Sequence, residues 1–162
     1  MKRSQVLLLA VLVLLATRAA GAPTIVLTSS DWTVSASASA PDVASPGLNF
    51  ASSTRQWTTS DALISITAPA FWNVTASVRV PSGQSWPAGV SVYVIRTGAG
   101  TGSDPVNGGL TAVGPLPTEP TRIAFFDGKK DRSNIPISLE IRGLTATLPA
   151  ETYQIEVVYT VN

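Results

Sequence analysis

An all-β fold, an immunoglobulin-like antiparallel β-sandwich, is what this 162-residue chain predicts, and three observations carry it. Apolar and polar residues alternate with period two along several stretches, the mark of strands with one buried face. Clusters of Pro and Gly punctuate those stretches at short intervals. Apolar residues at helical spacing are missing after residue 22, so two sheets must cover each other. A jelly roll or closed barrel is the alternative arrangement of the same strands.

The chain opens Met1-Lys2-Arg3 and runs into an apolar stretch, Val6 to Ala16, that ends in Thr17-Arg18-Ala19-Ala20-Gly21-Ala22. A basic start, a short apolar run and small residues at A-x-A spacing read as a secretory signal peptide over residues 1–22. Cleavage after Ala22 would leave Pro23 first, so cleavage after Gly21 or Ala19 is the alternative. The run falls short of the about 20 residues a membrane-spanning helix needs, which argues against a permanent anchor. The expected mature protein is secreted or at the cell surface, with residues 23–162 forming one sandwich domain that begins with a strand-like arm.

Strands are expected over 24–28, 32–40, 63–67, 72–80, 90–96, 122–126, 135–142 and 153–161, about eight in all. The strongest are 72–80, with Trp72, Val74, Ala76, Val78 and Val80 on one face, and 153–161, with Tyr153, Ile155, Val157, Tyr159 and Val161 on one face. In 135–142 the same alternation holds, and Pro136, which cannot donate to a ladder, marks a strand start or a sheet edge. Turns are expected at Ser45-Pro46-Gly47, Pro81-Ser82-Gly83, Pro87-Ala88-Gly89, Asp127-Gly128 and Leu148-Pro149-Ala150, where Pro fixes φ and Gly supplies positive φ. Residues 97–120 form one long irregular region rich in Gly and Pro. Its Gly98-Ala99-Gly100-Thr101-Gly102 has the look of a phosphate-cradling loop, but no Lys-Ser or Lys-Thr pair closes it and Asp104-Pro105 stands where a helix would begin.

Composition removes most chemistry. The chain has no Cys and no His, which excludes thiolate nucleophiles, Ser-His-Asp triads and nearly all zinc, copper and haem ligation. The domain must therefore hold itself without disulfides, and no cofactor, metal site or catalytic residue is assigned. Lys2, Arg3 and Arg18 leave with the signal, so 11 basic against 10 acidic residues becomes eight against ten, a mature net charge near −2. Clustered basic charge for nucleic acid is absent. The one basic cluster, Lys129-Lys130-Asp131-Arg132, reads as a solvated turn.

Aromatic residues and carboxylates supply the remaining candidates. Trp32, Trp72, Tyr153 and Tyr159 fall on alternating strand positions and read as core. Trp57 and Trp86 lie in polar or turn surroundings, where each either stacks on a sugar ring or folds back as a lid on a sandwich end. Asp127 with Asp131 offers oxygen ligands across a turn but lacks the dense alternation of an EF-hand loop. Glu140 and Glu156 sit on the polar faces of strong strands and would pair as glycosidase acids only if those strands adjoin. Asn73-Val74-Thr75 is an N-glycosylation sequon inside a strand.

Leu148-Pro149-Ala150-Glu151-Thr152-Tyr153, the alternating run that follows, and Tyr159-Thr160-Val161 resemble the closing strand of exported bacterial β-sandwich surface subunits, the pilin-like spore-coat-U and WxL-type proteins. The likeness covers under a tenth of the chain and departs from them in the absent disulfide, in Glu151 where Gly is usual and in the lack of a W-x-L motif. It implies a structural subunit or adhesive module of a pilus, fibre or surface layer, partnered by copies of itself or by other cell-surface proteins. A secreted carbohydrate-binding module taking glycans on Trp57 and Trp86 is the alternative, and a carboxylate-based glycan hydrolase the third. For assembly, Ile25, Leu27, Trp32 and Val34 form an alternating arm that either donates a strand to a neighbour or opens its own sandwich.

Overall fold

The computed structural model describes residues 21–28, 54–144 and 153–162, with side chains within the second strand described from Ala62 onward. Among them there are eight strands and no helix: β1 Thr24–Thr28, β2 Thr54–Thr67, β3 Phe71–Arg79, β4 Ser91–Arg96, β5 Val106–Asn107, β6 Ile123–Lys129, β7 Arg132–Arg142 and β8 Glu156–Val161. They form two antiparallel four-stranded sheets, in the orders β1-β2-β7-β4 and β5-β6-β3-β8, packed face to face as a β-sandwich.

Alternation decides what faces the core. On β3 Trp72, Val74, Ala76 and Val78 are buried, and across the sandwich Ile64 and Ile66 of β2, Val92 and Val94 of β4 and Ile135, Ile137 and Leu139 of β7 meet them. Of the expected inward set of the last strand, Val157, Tyr159 and Val161 pair with Val78, Ala76 and Val74 and pack against the core with Ile155, while the strand begins at Glu156 rather than 153 and Tyr153 lies before it. Val80, by contrast, lies beyond the end of β3 and is half-buried. Pro136 falls inside β7, a strand flanked by β2 and β4, opposite Leu63 where the β2 register shifts. That irregularity is where a ladder tolerates a residue without N–H.

Several expected boundaries move. The second strand begins at Thr54 rather than residue 63: its Thr/Ser/Gln half carries no apolar alternation, yet it pairs Thr54 with Arg142 through Thr58 with Ser138 because the long β7 offers a ladder to pair with. Asp127-Gly128 is strand rather than turn, within β6, where Gly128 lies opposite Trp72. A Cβ on Gly128 would come within 2.5 Å of the Trp72 ring, so the residue is Gly to make room for the indole. The long Gly/Pro region contains the short strand β5, paired with β6 through Val106–Gly128 and Asn107–Asp127. The expected strand over 32–40, with Trp32 and Val34, the turns at Ser45-Pro46-Gly47 and Leu148-Pro149-Ala150, and the signal peptide up to residue 20 lie outside the described residues.

Two corners carry the chain between sheets at one end. Residues 68–70 join β2 to β3, and Lys130 with Asp131 joins β6 to β7. They are tied together: Ala68 N–H donates to Asp131 Oδ1 at 2.9 Å, Lys130 N–H to Ala70 O at 2.8 Å and Trp72 Nε1–H to Lys130 O at 2.7 Å. Lys130 takes φ 54°, the left-handed value such a tight reversal needs.

Candidate functional site

The two lateral sides of the sandwich are built differently. On one side the segment after β5 seals the gap between the sheets. It pairs with the edge of β4, Val113 exchanging both backbone bonds with Val94 and Leu116 N–H donating to Val92 O at 2.9 Å. It then crosses to the other sheet, where Val78 N–H donates to Pro117 O and Glu119 N–H to Val78 O. Edge groups that would otherwise template a foreign strand are satisfied there.

On the opposite side β1 and β8 stand as edges of their respective sheets, and no comparable segment among the described residues bridges them. Between them lies an open groove of about 390 Å³ lined by Ile25, Leu27, Val157 and Tyr159 with Arg79 and Glu156 at its margin. Ile25 and Leu27 share the inward face of β1, so Leu27 is 41% exposed because the groove is open, while Val26 on the outer face is 62% exposed. No Lys, Pro or bulge guards the Thr-Ile-Val-Leu-Thr edge, the devices by which sheets usually discourage edge-to-edge pairing. Arg79 and Glu156, paired across β3 and β8 at 2.5 Å, are the charges at this margin. Tyr159 reaches into the core, its ring stacked near Phe125, with its hydroxyl buried and without a hydrogen-bond partner among the described residues. Burial pushes that phenol above its ordinary range.

The other predicted residues are spread over the molecule. Trp86 is half-buried against the core and its Nε1–H donates to Val90 O at 2.8 Å. Trp57 pairs in β2 with the core residue Leu139. Glu140 and Glu156 lie on β7 and β8, in different sheets, so they form no glycosidase pair. Glu140 is also not solvent-facing, as expected for a polar strand face: it is 8% exposed and bonded to Arg142 Nε, whose guanidinium stacks 4.0 Å over the Tyr93 ring. Asp127 accepts from Asn107 Nδ2 at 3.1 Å, whereas Asp131 is taken by Ala68 N–H, so the two carboxylates serve separate parts of the fold. No group of three or more acidic side chains able to hold a metal occurs among the described residues. Asn73 is exposed on β3, where its backbone exchanges two bonds with Asn162.

Two buried arginines escaped the sequence reading. Arg96 shares the inward face of β4 with Val92 and Val94 and is 3% exposed; its guanidinium donates to Gly108 O, Gly98 O and Val106 O. Arg132, expected in a solvated turn, is buried opposite Ile66 and donates through Nε to Ala99 O at 2.9 Å. Asn134 at φ 55° and a register shift between Ile64 and Ile66 turn Arg132 inward against the odd-numbered alternation of β7. Burial first, and then the neighbouring Arg132, lower the pKa of Arg96. Both side chains thus gather the carbonyls of the 97–109 loop. The glycines of that loop serve the same closeness, since a Cβ on Gly100 (φ +66°) would meet Ser133 O, which accepts from Thr101 N–H. Arg96 was legible by parity with Val92 and Val94; Arg132 was not, because a bulge carries no signature in the residues around it.

No helix among the described residues is long and apolar enough to cross a membrane. The chain matches no family model, no curated protein and no solved structure.

Proposed function

We propose that the protein is an exported structural subunit of a fibre or surface layer, assembling through the open side of its sandwich. The observation that carries this reading is the asymmetry of the two lateral sides among the described residues: one is sealed by the strand-switching segment, the other leaves the β1 and β8 edges beside an apolar groove. An unguarded edge with exposed Val26 and Leu27 is a template for another strand, and a subunit that assembles needs such a template. The basic, apolar and small-residue pattern of residues 1–22 supports export, and low charge with Ser/Thr-rich strands suits a packing role.

Electron microscopy of the purified protein, concentrated near neutral pH, tests it. Regular filaments or sheets are the expected result. Particles that stay single and monomeric across a wide concentration range would remove the structural-subunit reading. A glycan array on the same material addresses the carbohydrate-binding alternative, and binding lost in Trp57→Ala or Trp86→Ala would favour it.

A further inference from the structure

We infer that β1 is an exchangeable strand: Thr24–Thr28 of one copy pairs with the Leu63–Thr67 edge of β2 in a second copy. The inference rests on the structural-subunit reading and names how the contact is made.

Three features of β1 point the same way. Among the described residues its only ladder is to β2, five residues from Thr24–Thr67 to Thr28–Leu63, and it caps that sheet as an edge. No side chain of it is fully buried; Ile25 alone is half-buried, and the others are exposed. Its connection to β2 is also long. Thr28 stands opposite Leu63, while the chain re-enters β2 at Thr54, which lies roughly 30 Å of strand away. Residues 29–53 intervene, about 25 residues that reach up to about 80 Å when extended. That reach is more than about twice the span, so the length of the connection does not by itself hold β1 to its own β2.

A second copy is the occupant these features select. The edge of β2 is already shaped for Thr24–Thr28, with the inward pair Ile25 and Leu27 meeting Ile66 and Ile64, and an identical segment from another chain reproduces every one of those contacts. Exchange of an identical element therefore changes only the connection, which is why strand swapping is a low-cost route to association. The segment carries no charge, so two copies approaching along this edge meet no repulsion from it. Reciprocal exchange gives closed dimers, and one-way exchange gives an open chain of subunits.

The absence of cysteine makes the contact directly readable. Val26 and Ser65 are register partners on the outer face, away from the core, so a single cysteine at either position leaves the packing intact. Full-length Val26→Cys and Ser65→Cys chains are mixed, unfolded and refolded together at high concentration, then oxidised mildly. A disulfide-linked heterodimer is expected at a yield at least about fivefold above that of Val26→Cys mixed with Leu110→Cys, which lies exposed in the loop after β5. Thr24→Cys with Thr67→Cys, a second exposed register pair, repeats the test should the first pair fold poorly. Heterodimer at the level of the control in both pairs, with the double variant Val26→Cys/Ser65→Cys linked only within one chain, overturns the exchange. Filaments without the cross-link leave the structural-subunit reading standing and remove this contact; the cross-link without filaments does the reverse.

Discussion

Single residues in this sandwich are chosen for the space and partners that the opposite strand leaves them. Gly128 is small because Trp72 crosses it, and Arg96 is long because three carbonyls of the neighbouring loop need a donor inside the fold. Tyr159 is the residue whose environment yields a measurable consequence. Its hydroxyl is buried without a partner, and burial raises its pKa above the ordinary value of about 10. The folded chain therefore holds a phenolic proton that the unfolded chain releases above that pH. Stability from this group is fully present below about pH 10 and is lost as pH rises past it. Tyr159→Phe keeps the ring against Phe125 and removes both the unpaired hydroxyl and its titration. The variant is expected to gain about 1 kcal/mol at pH 8 and to lose less stability than the parent by pH 11. Urea midpoints at the two pH values check it, and parallel losses in parent and variant would refute the buried-phenol account.

At the level of elements, position in the sheet matters more than intrinsic strand propensity. Thr-Ile-Val-Leu-Thr of β1 is a strong strand sequence held on one side only, whereas the N-terminal half of β2, polar and weakly patterned, is held because β7 pairs with it. The central strands β7 and β3 have neighbours on both sides and bury residues such as Ile135, Ile137, Val74 and Ala76. Amide hydrogen exchange is therefore expected to be slowest in β7 and β3, approaching the global unfolding free energy, and fastest in β1 and β5, which open locally. Protection of β1 equal to that of β7 would show that the edge is held by something other than its single ladder. The local opening of β1 is also the event that strand exchange requires.

For the whole molecule, two sheets with no helix among the described residues and no cysteine to bridge them must be stabilised by apolar burial between them. Circular dichroism of the chain lacking residues 1–22 is expected to show a strand spectrum with negligible helix, unchanged by reductant. A helical fraction above roughly a fifth would be incompatible with this architecture. The same two-layer construction gives the molecule its two unlike sides, because the segment after β5 bridges the sheets on the β4 side and no comparable segment among the described residues does so beside β1 and β8. What is left beside β1 and β8 is the surface on which the proposed assembly depends.

How much of this was legible in the residues follows from which forces are local. Period-two alternation placed the inward faces of β3, β7 and β8, since burial of every second residue is written along the strand itself. The missing helical periodicity determined that the layers are sheets. Ile25 and Leu27 were legible as one face of an arm, but not whether that face would lie against its own sheet. Partners across strands decided the rest: Asp127-Gly128 became strand because Trp72 stands opposite, Arg132 turned inward because a bulge shifts its register, and Glu140 and Glu156 were separated because their strands joined different sheets. The sequence by itself determined a cysteine-free, all-β chain with its core positions. Tertiary structure alone decided which edges are sealed and which stay open, because a strand's free hydrogen-bonding edge depends on what lies beside it in space, and residues far apart in the chain supply that neighbour.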